Sequence, residues 1–139
     1  MLRSIARTLI LLLVAGLAAG GCDETDTPTT PTTPPENITE TFSGTVTVNG
    51  AVTHTFTTTV AGTIAATLTA VGPDSTAVVG FSLGNWNGTA CQIVIANDNA
   101  TQGTLLTAAA SATANLCARV YDVGKLTEPA TYSVQVVHN

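Results

Sequence analysis

FSGTVTVNGAVTHTFTTTV, Phe42 to Val60, decides the fold class. Phe42, Gly44, Val46 and Val48 alternate with Ser43, Thr45 and Thr47, and beyond Asn49-Gly50 the residues Val52, His54, Phe56, Thr58 and Val60 alternate with threonines. A period of two is that of a strand with one buried and one wet face. Asn-Gly between two such runs predicts a β-hairpin through a type I′ turn, whose two central residues need positive φ. Working outward, Ile64, Ala66, Leu68 and Ala70 form the next apolar face, closed by Gly72-Pro73-Asp74 as a turn. Val79, Phe81 and Leu83 mark a fourth strand ending at Gly84-Asn85, and Ile93 and Ile95 a fifth ending at Asn97-Asp98-Asn99. Leu105-Leu106 suggests a sixth, Leu116 to Tyr121 a seventh, and Tyr132, Val134 and Val136 an eighth. The stretch Leu105 to Leu116 competes weakly as a helix, but it lacks caps and large apolar residues. About eight short runs separated by turn residues predict an all-β chain, a single antiparallel β-sandwich of jelly-roll type.

Composition agrees. Of 139 residues 27 are Thr, only 9% are charged and 4% aromatic. Thr and Val are stiff at χ1 and suit a pleated surface. After Gly21 the only cations are Arg119 and Lys125, against nine acids, a net charge of -7. Nucleic acid is therefore excluded as a partner, because phosphate contact needs clustered cations.

The first 36 residues address and tether the chain. Met1 to Arg7 carries two positive charges, Thr8 to Leu17 reads TLILLLVAGL, and small residues follow up to Cys22. These are the three zones of an export signal over 1–21. The apolar stretch of about 14 residues reaches about 21 Å as a helix, short of a hydrocarbon core near 30 Å. LAAGGC, Leu17 to Cys22, resembles the lipobox of bacterial lipoproteins, with Ala19 where that family favours Leu. The resemblance implies diacylation of Cys22 and an anchor in membrane lipid at the cell envelope, periplasmic or on the outer surface, which two or more acyl chains make lasting. Asp23 to Glu36, DETDTPTTPTTPPE, has four Pro and no branched aliphatic residue. It reads as an extended linker reaching roughly 40 Å, followed by the globular domain over 37–139.

With Cys22 lipidated, Cys91 and Cys117 remain as an even pair in an oxidising compartment, where disulfides persist. Closing a loop of 26 residues contributes about 3.5 kcal/mol in the chain-entropy account. Alternation places Cys117 on the face opposite Leu116, Ala118 and Val120, so the bridge is expected outside the main core.

Three stretches, GTIAATLTAV (62–71), GFSLGNWNGTAC (80–91) and CARVYDVGKLTEPATYSVQVVH (117–138), look like the bacterial pre-peptidase C-terminal domain, in the Cys-containing form found in lipoproteins. The resemblance covers Phe42 to His138 and implies a β-sandwich without catalytic residues of its own. In that family such domains commonly trail exported peptidases, and no peptidase precedes this one.

Catalysis has few candidates. A Ser/His/Asp arrangement needs a base between nucleophile and acid, and the chain offers only His54 and His138. Asp74, Asp98 and Glu128 sit beside Pro or Asn, and Asp122 two residues before Gly124, as turn formers do. No spacing suggests a metal or cofactor. Binding has better ones. Trp86, the only Trp, lies in GNWNG. Its plain reading is an indole laid over the sandwich edge, and its functional reading is a surface that stacks on a sugar or anchors a protein. Asn97, Asp98 and Asn99 read as an Asx-rich turn or as oxygen ligands for calcium. The expectation is a noncatalytic, lipid-anchored envelope module for protein contact or structural support, with a carbohydrate- or calcium-dependent binding module as the alternative.

Overall fold

The computed structural model describes residues 33–139. The export signal expected over 1–21, the lipidation site expected at Cys22 and all but the last four residues of the expected linker lie outside that range. Thr33–Asn139 is one compact unit. It contains β1 (Ile38–Val46), β2 (Ala51–Thr58), β3 (Gly62–Gly72), β4 (Val79–Trp86), β5 (Cys91–Ala100), β6 (Leu105–Ala110), β7 (Ala114–Tyr121) and β8 (Ala130–His138). The expected all-β antiparallel sandwich is what forms, and Leu105 to Leu116 is strand, turn and strand. Sheet A has the order β1-β8-β3-β6 and sheet B the order β2-β7-β4-β5. These are the two sheets of a jelly roll.

That order corrects the first hairpin. β1 pairs with β8 and β2 with β7, so Phe42–Val46 and Val52–Thr58 belong to different sheets. Between them the Gly50 amide donates to the Thr47 carbonyl at 2.8 Å. Only Asn49 has positive φ, 57°. One left-handed residue at the third turn position gives a type II turn, which carries the chain across the sandwich. Asp122 fixes this crossing, accepting from the Asn49 amide at 2.8 Å while its own amide donates to the Gly50 carbonyl at 2.9 Å.

The inward faces make one core, including Val46, Phe56, Leu68, Phe81, Val120, Val134 and Val136. Two local departures move residues off their expected faces. A bulge between Leu68 and Ala70 shifts the phase of β3, so Ala70 is exposed and Val71 buried. β5 does not stop at Asn97 but runs to Ala100, because Asn97 Oδ1 caps the Asn99 amide at 2.8 Å within an irregular ladder opposite Val79–Phe81. Val48 and Val60 are exposed, since both lie in connections outside the strands.

Candidate functional site

Four outward residues of β4, Gly80, Ser82, Gly84 and Trp86, run up the middle of sheet B. Gly80 lies under the ring of Tyr121, so close that a Cβ would sit 2.2 Å from it. Ser82, paired with Arg119, is fully buried although it faces outward. At Gly84 the approach is of backbone on backbone, because a Cβ would meet the Gln92 carbonyl oxygen at 2.1 Å. Glycine is what permits such contact.

The ladder between β4 and β5 shifts register between Leu83 and Gly84. Bulges bend strands, and the start of β5 here rides over the outer side of β4. The fold-back brings Cys91, which follows Ala90, to Cys117 of β7, with Cα atoms 5.8 Å apart and a disulfide between them. Without it two strands separated by β4 lie too far apart for a bridge, since each strand step is about 4.8 Å. The bond lies on the outer face, as alternation in β7 requires, yet Cys117 is fully buried beneath the hairpin. The hairpin turn is ordered by Asn87, whose Oδ1 accepts from the amides of Thr89 and Ala90 at 2.9 and 2.8 Å, with Gly88 at φ 96°.

Between the folded hairpin and the sheet lies an open depression of about 440 Å³, lined by Thr53, Trp86, Thr89, Ala90, Cys91 and Arg119. Trp86 is half-buried and pairs across the hairpin with Cys91. Beside the depression the Arg119 guanidinium lies over the Tyr121 ring at 5.2 Å, and the Tyr121 hydroxyl donates to Asp98. Burial first, then the Asp98 carboxylate, pushes the Tyr121 phenol up to about 12.

The structure thus gives the residues grouped by sequence different roles. Trp86 and the disulfide share one surface, to which Thr53, Arg119 and Tyr121 belong as well. Alternation carries the signal for two of them, since Arg119 and Tyr121 stand two and four residues beyond Cys117 on its face. Asn97, Asp98 and Asn99 make contacts within the chain: Asp98 with Tyr121, Asn97 with the Asn99 amide, and Asn99 Oδ1 with Lys125 Nζ at 2.8 Å. Among the described residues no three His, Cys, Asp or Glu side chains gather as metal ligands.

Both histidines lie on the other side of the sandwich, where β1 faces β2. His54 stacks on Phe42 at 5.0 Å, and its Nε2 is hydrogen-bonded to the Tyr132 hydroxyl at 2.8 Å. Burial lowers the His54 pKa and pushes Tyr132 up to about 12. His138 is buried against Phe56, with Nε2 2.9 Å from Glu40 Oε1. A phenol is thus the hydrogen-bonded partner of His54, and a carboxylate that of His138.

No family model matches the chain, and no curated protein matches it in sequence. Among solved structures it is similar to PliG of Aeromonas hydrophila, a periplasmic lysozyme inhibitor of g-type lysozyme, with 15% identity and a TM-score of 0.53. The similarity covers 72% of this chain and 86% of PliG. At that identity the two share a fold.

Proposed function

We propose that this chain is a noncatalytic, lipid-anchored protein of the bacterial cell envelope whose jelly roll works by contact with another exported protein. The carrying observation is the outer face of sheet B, where the only Trp and an Arg line an open depression and a Tyr lies under that Arg. Trp, Tyr and Arg dominate the energetics of protein interfaces, and the disulfide holds them in place before any partner arrives, which lowers the ordering cost of binding. The export leader and LAAGGC support the envelope and the anchor at Cys22. The likeness to PliG, a periplasmic inhibitor, supports a protein partner, and exported cell-wall hydrolases are the first class to try. The pre-peptidase C-terminal resemblance rests on the stretches quoted above and points the same way, toward an accessory without chemistry of its own.

The acylated protein should be assayed by calorimetry and by inhibition against exported lysozymes, a g-type enzyme first. For a true partner, Trp86→Ala and Arg119→Ala each weaken binding on the order of 10- to 100-fold, the range of interface hot spots, with the melting temperature unchanged. Variants that bind as well as the wild type refute this surface. Mass spectrometry of the mature N-terminus tests the anchor separately, through the acyl mass on Cys22. A second reading, a glycan-binding module, is favoured by the accessible indole of Trp86. Calorimetric binding to peptidoglycan fragments that Trp86→Ala abolishes, with no protein partner bound, selects it.

A further inference from the structure

We propose that the β4–β5 hairpin is a redox-latched flap, held over the outer face of sheet B by the Cys91–Cys117 bond and released when that bond is reduced. The inference goes beyond the contact reading and stands on the hairpin's geometry whether or not a partner is known. On β5 the hinge is the register shift opposite Leu83/Gly84, and on β4 it follows Asn85, the last residue laddered to β7. Beyond these points the tip carries its own pair, Trp86 with Cys91, and its own Asn87-capped turn, so it moves as a unit. The depression between the hairpin tip and Thr53 and Arg119 is open. The covalent tie from the hairpin to the strand beneath is the disulfide.

The two sulfurs differ in access. Cys91 is partly exposed and Cys117 fully buried, and exchange requires a thiolate to reach a sulfur. An exported dithiol is the reductant. One of its thiolates attacks Cys91 Sγ, forming a mixed disulfide there as the S–S bond breaks, and Cys117 leaves as a thiolate that takes up a proton. The second thiol of the reductant then attacks the mixed disulfide and releases Cys91 as a thiol. The dithiol departs as its own disulfide, having delivered two electrons. The released flap lifts the Gln92 backbone off Gly84 and carries Trp86 away from Arg119, dismantling the contact surface. An exported protein disulfide reverses the exchange, taking up the two electrons and two protons as the Cys91–Cys117 bond reforms, and restores it.

Trp86 is the only tryptophan, so its fluorescence reports on the flap directly. The mature full chain is reduced with dithiothreitol and followed by Trp emission, far-ultraviolet circular dichroism and hydrogen exchange resolved by segment. The latch predicts a red shift of emission and faster exchange over residues 86–93, by on the order of tenfold or more beyond the uniform loss that lower global stability brings to β1, β3, β7 and β8. Cys91→Ser/Cys117→Ser shows the red-shifted emission from the start and ignores dithiothreitol. A monothiol such as glutathione followed by alkylation leaves glutathione on Cys91 and the alkyl group on Cys117. Unchanged emission and exchange after reduction overturn the latch, because the hairpin then stays down unaided. Loss of protection by one common factor in all strands, residues 86–93 included, overturns it too, because the bond then acts only as a staple of the whole fold.

Discussion

Tyr121 and Tyr132 are the only tyrosines, and both are held neutral, one outside sheet B against Asp98 and the other inside against His54. Each phenol is pushed up to about 12 from 10.0, chiefly by burial. The unfolded chain therefore ionises first. The stability these groups contribute is complete below pH 10 and is lost as pH rises through 12. Tyrosinate absorbance should stay near zero at pH 10.5, where two free phenols would be mostly ionised; a normal titration there refutes both burials. Asp122 works in the acid range. Its carboxylate accepts from the amides of Asn49, Gly124, Lys125 and Leu126, and these bonds, Asn49 foremost, hold its pKa below the usual 3.8. Its contribution is thus present above pH 3.8 and fades as the carboxyl protonates below it. Asp122→Ala should lower the melting temperature at pH 7, and the gap to the wild type should narrow only below pH 3.8. A gap constant with pH removes the carboxylate from the explanation. None of these roles is visible in sequence, because an Asp two residues before Gly124 reads as a turn former whichever amides it captures.

At the scale of elements, alternation revealed strands and faces but not partners. Val46, Phe56, Leu68, Phe81 and Val134 are buried as their period requires. Asn49-Gly50 misled because a left-handed residue serves an arch between sheets as well as a hairpin, and the choice is made by β8 and β7, roughly eighty residues away. Trp86 was legible as a candidate from its isolation between turn residues, and Cys91–Cys117 from parity. The fold-back that joins them was not, because it depends on Gly84, one glycine among 12. Gly84→Ala tests it. The new Cβ meets backbone rather than a side chain that can swing aside, so the hairpin must lift, at a cost of about 1–3 kcal/mol as for overpacking. Urea denaturation together with Trp86 emission checks this. A stability equal to wild type would mean that β5 does not cross Gly84.

Seen whole, the strands pair as β1 with β8, β2 with β7, β3 with β6 and β4 with β5. The chain is thus one long antiparallel ribbon doubled at Asn87–Ala90 and rolled so that alternate pairs enter opposite sheets. Most of its pairings are distant in sequence, and such topologies fold slowly because loop closure is lost before contacts repay it. The β4–β5 hairpin is the one local pair, and the disulfide closes 26 residues beside it, joining the middle of the ribbon to β7 before the rest forms. In the chain-entropy account this bond contributes about 3.5 kcal/mol by restricting the unfolded chain. If β5 and β7 are already together in the folding transition state, most of that energy appears in the folding rate. Stopped-flow refolding monitored by Trp86 should therefore be slower in Cys91→Ser/Cys117→Ser than in the oxidised chain, with unfolding rates closely similar. In the same series Leu83→Ala in β4 should slow refolding, whereas Val134→Ala in β8 should chiefly speed unfolding. The opposite pattern would put the nucleus at the paired chain ends and make the bridge a late clasp.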